Sequence, residues 1–119
     1  MKASLILIVL YISTSAATCF STYTEVSFQN KSDKFIDSVV VYIQNYKFSF
    51  NNINKHAEIS KKISKDSIII NKHDITVHAY LYDKGKSNFE GGFYYNDLSG
   101  SLNDKYLIIL NDNLNVTIR

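Results

Sequence analysis

The chain has 119 residues, 45% of them apolar and 20% charged, so it has room for one domain once a processed leader is set aside. Thirteen Lys and Arg face eleven Asp and Glu, a net charge of +2, which is too even for the basic face that nucleic-acid binding needs. Fifteen Ile, nine Tyr and seven Phe offset chain entropy as disordered compositions cannot, and the single cysteine excludes a disulfide framework or a multi-thiolate zinc site.

The first residues read as an export signal. Lys2 supplies a short positive region, Leu5 to Ile12 an apolar stretch, and Ser13 to Thr18 a run of small residues suited to signal peptidase. The apolar run is about half the ~20 residues a spanning helix requires, and no second one follows. Residues 1–18 are therefore expected to be a signal peptide and 19–119 a single mature domain. Two cleavage outcomes stay open. Ser15-Ala16-Ala17 fits ordinary signal peptidase, whereas Cys19 sits where a bacterial lipoprotein is lipidated, although Ala16 and Thr18 depart from the usual lipobox residues. Lipidation at Cys19 would make the mature chain anchored to a membrane surface through acyl groups and not embedded in it.

From Tyr23 onward apolar residues recur with period two in short runs separated by Asn, Asp, Ser, Lys and Gly. The spacing predicts strands at Tyr23–Asn30, Ser38–Ile43, Tyr46–Asn51, His56–Ile63, Ser67–Ile70, Asp74–Asp83, Asn88–Asn96, Lys105–Leu110 and Leu114–Arg119. For His56–Ile63 a helix capped by Asn54 competes, but too few turns are available, and the lysines suit a protected edge strand. Lys61 and Lys62 read as a solvated charged face. The fold class is all-β, an antiparallel two-sheet sandwich of about eight strands, immunoglobulin-like or related, with a small barrel as the alternative.

Parity restricts the hairpins, because facing residues of an antiparallel pair share one sheet face. A Gln44-Asn45 turn sets Ile43 opposite Tyr46 and Val41 opposite Phe48; asparagine tolerates the positive φ such a turn needs and glutamine is a weaker choice at the other position, so a longer loop of the same parity stays open. A two-residue Lys84-Gly85 turn would mismatch the faces of the next hairpin, so a three- or five-residue loop is expected, with Leu81 opposite Phe89 and Val77 opposite Phe93. The last hairpin turns at Asp112-Asn113 and brings Val116 and Ile118 to the core.

Chemical motifs are sparse. His56, His73 and His78 lack a ligand-pair spacing; His73 and His78, five apart, fall on opposite faces of a strand. No serine lies in a G-x-S-x-G turn, Cys19 has no neighbouring base, and Gly91-Gly92 is not part of a phosphate loop. No catalytic residue, metal or cofactor is assigned. Parity does expose an outward set. If Ile75, Val77, Ala79 and Leu81 face inward, then His78, Tyr80 and Tyr82 face outward beside Glu90 and Tyr94. Tyrosine rings flanked by polar groups suit a glycan or an envelope protein, since each ring buries area at small entropy loss and keeps a hydroxyl for hydrogen bonding. Tyrosine is also simply a favoured strand residue. Two N-glycosylation sequons, at Asn30 and Asn115, would matter only in a eukaryotic secretory pathway.

The layout of a lipoprotein-like leader, then EVSFQNKSDKFIDSVVVYI, FEGGFYYNDLSGSLNDKYLIIL and a closing NLNVTIR, resembles the small exported or lipid-anchored β-sandwich proteins of Bacteroidota. The resemblance implies an envelope location and no activity. The expected function is thus a noncatalytic binding or structural role in the cell envelope, lipid-anchored or freely secreted. The alternative is a small secreted hydrolase or inhibitor with a loop-built site near His73 and His78.

Overall fold

The computed structural model describes residues 21–70, 75–83, 93–97 and 101–119, with the backbone alone for 93–97. Among them lie eight strands: β1 (Tyr23–Asn30), β2 (Ile36–Ile43), β3 (Tyr46–Ile53), β4 (Glu58–Ser64), β5 (Ile75–Tyr82), β6 (Phe93–Asp97), β7 (Lys105–Leu110) and β8 (Val116–Ile118). They form two four-stranded sheets, sheet A in the order β4-β1-β7-β8 and sheet B in the order β3-β2-β5-β6.

Alternation drives both layers. Thr24, Val26, Phe28 and Asn30 of β1 are buried while the residues between them are partly exposed, and Ile75, Val77, Ala79 and Leu81 of β5 are buried in the same manner. Val39, Val41, Ile43, Phe48 and Phe50 complete the inner face of sheet B. Tyr106, Ile108 and Leu110 join Val26, Phe28 and Ile63 on that of sheet A, and the two sets merge into one apolar cluster. Inward residues of two sheets meeting in one core is the defining feature of a sandwich.

Sheet A is not purely antiparallel. β1 pairs with β4 antiparallel, but with β7 parallel, Val26 opposite Tyr106 and Phe28 opposite Ile108. No hairpin joins β1 to β7, so parity at tight turns carries no information on their relative direction. The strand orders also differ from the immunoglobulin arrangement, in which the first, second, fifth and fourth strands share one sheet.

The hairpins follow the predicted faces with adjustments. Ile43 faces Tyr46 and Val41 faces Phe48 across the Gln44-Asn45 turn. The positive φ of 55°, however, falls on Gln44 and not on Asn45. Gln44 donates its backbone N–H to the Thr76 carbonyl at 3.0 Å, so the neighbouring strand holds it in the left-handed region. In the β5–β6 pair Val77 faces Tyr95 and Ala79 faces Phe93, two residues along from the predicted register but on the same faces. Phe89 lies outside the described residues. At the last hairpin Ile108 faces Ile118 and Leu110 faces Val116, and both β8 residues pack on the core. Leu114 has φ 67°, so it belongs to the turn and the strand starts only at Val116.

Two further expectations shift. The segment expected as a strand over His56–Ile63 holds a strand and not a helix, but it runs only from Glu58, with His56 at φ 61° in the preceding turn. The strand expected over Ser67–Ile70 is absent: Lys65–Ser67 form one 3₁₀ turn, closed by the Ile68 N–H on the Lys65 carbonyl. There Ile68 is buried while Ile69 and Ile70 are exposed, a pattern that serves a crossing between sheets better than a paired strand.

At the far end of the molecule a buried polar knot fixes the β1–β2 connection. Asn30 Nδ2 donates to the carbonyls of Lys34 (2.7 Å) and Asn54 (3.2 Å), while Oδ1 accepts from the Ser32 N–H (3.0 Å) and hydroxyl (2.6 Å). All four hydrogen-bonding positions of the carboxamide are thus used inside the protein. A glycan on Asn30 is incompatible with this fold, whereas Asn115 is exposed.

Candidate functional site

The site is the outer face of sheet B. Because β5 buries its odd-numbered residues, Thr76, His78, Tyr80 and Tyr82 emerge on the other side, each partly exposed. β2 contributes Ser38, Val40 and Tyr42 by the same alternation, and β3 contributes Lys47 and Ser49. Strand pairing then arranges these residues in rows: Lys47, Tyr42 and His78 in one, Ser49, Val40 and Tyr80 in the next, and Asn51, Ser38 and Tyr82 in the third.

Side-chain length shapes the surface. Short Ser38, Val40 and Ser49 lie among long Tyr42, Tyr80 and Tyr82, and an open concavity of about 390 Å³ results. Its lining is Val40, Tyr42, Gln44, Lys47, His78, Tyr80 and Tyr82. Tyr42 and Tyr80 meet edge to face, with ring centroids 5.9 Å apart and planes at 87°, the diagonal contact that neighbouring strands allow. His78 stands 6.3 Å from the Tyr80 ring at 72°. On the other flank the Lys47 ammonium lies 5.8 Å from the centre of the Tyr42 ring, a cation–π distance. The wall is therefore held in place by ring-to-ring contacts, while amine, amide and imidazole groups edge the opening.

Of the residues singled out in the sequence, His78, Tyr80 and Tyr82 come together here. Tyr94 is the backbone partner of His78 across the β5–β6 pair. Glu90, His73 and Cys19 lie outside the described residues. Val40, Tyr42, Gln44 and Lys47 also line the concavity and were not singled out in the sequence. The signal for them was present, since Ser38, Val40 and Tyr42 alternate with inward Val39, Val41 and Ile43 as strictly as the β5 set does. What the sequence withheld was that β2 lies beside β5.

The remaining polar groups are scattered. His56 Nε2 and Asp33 Oδ1 are 3.0 Å apart in an exposed pair remote from the concavity. Lys65 donates to Asp104 at 2.6 Å on sheet A's side. Among the described residues no group of three His, Cys, Asp or Glu is placed to hold a metal ion, and no helix is long and apolar enough to cross a membrane.

No family model matches the chain, and no curated protein matches it. Among solved structures it is similar to the NMR structure of a protein from Eubacterium rectale, at 14% sequence identity and a TM-score of 0.46, over 83% of this chain and 88% of that one.

Proposed function

We propose that this is an exported, noncatalytic β-sandwich of the cell envelope, anchored through Cys19, that holds a carbohydrate polymer against the outer face of sheet B. The reading joins the leader of residues 1–18 and the layout shared with small Bacteroidota envelope proteins to one observation: the tyrosine-walled concavity over Val40. Its volume lies within the range that accommodates a small organic ligand. Pyranose rings present apolar C–H faces and a rim of hydroxyls. Tyr42 and Tyr80 supply aromatic surface for the first, and Gln44, Lys47 and His78 supply donors and acceptors for the second. The openness of the site suits a chain that runs across it.

Affinity electrophoresis in gels containing soluble β-glucan, galactan or polyuronate tests this reading. Retardation by at least one polymer is expected, reduced about tenfold in affinity by Tyr42→Ala or Tyr80→Ala, as loss of an aromatic stacking surface implies. Tyr23→Ala, an exposed ring on sheet A, should leave retardation unchanged. Equal retardation of all four proteins, or none by any polymer, would remove the carbohydrate reading.

A further inference from the structure

We propose that Ile69 and Ile70 form an apolar tip that rests in the interfacial region of the lipid bilayer, orienting the domain on the membrane to which its N-terminus is tied. The inference rests on the anchoring part of the reading above and on nothing in the carbohydrate site. Two observations converge on one end of the sandwich.

The first is where the chain enters the fold. β1 starts at Tyr23, and the Thr22 carbonyl accepts a hydrogen bond from the Lys65 N–H at 3.0 Å. Cys19 precedes Thr22 by three residues, so its Cα lies no farther than about 11 Å from that of Thr22 even when the chain is fully extended. An acyl group on Cys19 leaves almost no tether. The end of the sandwich that holds Thr22 and Lys65 must lie at the bilayer surface.

The second is what that end displays. Directly after Lys65, the 3₁₀ turn buries Ile68 and leaves Ile69 57% and Ile70 39% exposed. Tyr23, 52% exposed, starts β1 at the same end. Ile68 fastens the turn to the core cluster, so the two exposed isoleucines project from a held base. Toward the opposite end the exposed large apolar side chains among the described residues are Phe35, which follows the buried Asn30 knot, and Ile59, which pairs with Phe28 on edge strand β4. Isoleucines exposed at the end of the fold where a lipid-anchored chain enters would bury area in the acyl boundary and add to the hold of a single attachment. Charge does not compete as the cause. Lys65 is paired with Asp104, and the nearby surface of sheet A carries Glu25 and Asp104 against Lys62 and Lys105.

The chain contains no tryptophan, which makes one introduced indole a unique reporter. The chain from Cys19 onward, which contains every described residue, is coupled through its only thiol to maleimide-bearing lipid in phosphatidylethanolamine–phosphatidylglycerol vesicles. Ile69→Trp is compared with Phe35→Trp at the other end. The expected result is a blue-shifted Ile69→Trp emission, quenched by brominated lipid and shielded from acrylamide, with Phe35→Trp emission unchanged by the vesicles. Equal acrylamide quenching of the two, or a blue shift in both, would overturn the proposal. Chemical coupling supplies the tether in either case, so this result is independent of whether Cys19 is acylated in the cell. That question is answered separately by the mass of the mature N-terminus.

Discussion

Among the described residues four non-glycine positions have positive φ: Asn52, of a type that tolerates the region, and Gln44, His56 and Leu114, where a Cβ is crowded by the following carbonyl at a cost of about 1–2 kcal/mol. Leu114 is the least suited of them, and Leu114→Asn is expected to raise stability by about 1 kcal/mol in urea unfolding, because asparagine tolerates this region. In the sequence Gln44 is the weaker of the two turn residues for positive φ and Asn45 the better one. The Gln44 N–H bond to Thr76 decides otherwise, and that contact comes from a strand more than thirty residues away. Asn30 is the opposite case. In the sequence it is one of many asparagines and part of a sequon; in the fold it satisfies four hydrogen bonds inside the protein. Asn30→Leu should cost about 2–3 kcal/mol, because the Ser32 N–H and the Lys34 and Asn54 carbonyls lose partners where water has poor access. A loss below about 0.5 kcal/mol would show that this end reorganises without it.

The strands were legible wherever alternation is unbroken. β1 and β7 coincide with their predicted bounds, and the inward and outward sets of β5 fall as the pattern requires. β2 and β3 each run two residues past the predicted limits, to Ile36 and Ile53, and the reason is a shared change of phase. Inward residues are odd-numbered in β2 as far as Val39, yet Ile36 is buried; they are even-numbered in β3 up to Phe50, yet Ile53 is buried. Ile36 and Ile53 face each other, and Asn52 has φ 55°, so both strands kink together and remain paired. A period-two search stops at such a point. β4 shows a second subtlety. Lys61 faces Val26 and therefore belongs to the inner face; its ammonium lies 5.5 Å from the Phe48 ring across the open side of the sandwich. An inward-pointing lysine on an edge strand discourages pairing with another chain. Lys61→Val should accordingly promote concentration-dependent association in sedimentation velocity, and a monomer at every concentration would refute this role. On β5 the two faces should respond differently: Leu81→Ala is expected to cost about 3 kcal/mol of stability and Tyr82→Ala less than about 1.

At the scale of the whole molecule, the sandwich depends on pairings between distant segments. β1 and β7 lie side by side and parallel at the centre of sheet A, each flanked by a further strand, although the whole of sheet B separates them in the chain. Their adjacency was not legible because no turn links them, and the β2–β5 adjacency that assembles the concavity was hidden for the same reason. The candidate site was therefore half legible: the β5 contribution followed from alternation, and the β2 and β3 contributions needed the strand order. Amides of β1 and β7 should exchange with solvent only on global unfolding, as expected for central strands closed late by long-range contacts. Exchange from these strands as fast as from β8 would contradict the pairing. The central claim is that the tyrosine face of sheet B is the working surface, and an amide-resolved NMR titration of the folded chain with the retarding oligosaccharide tests it most directly. Shifts gathered at Val40, Tyr42, Lys47, His78, Tyr80 and Tyr82 are predicted, while shifts centred on sheet A, or spread evenly over both sheets, would contradict it.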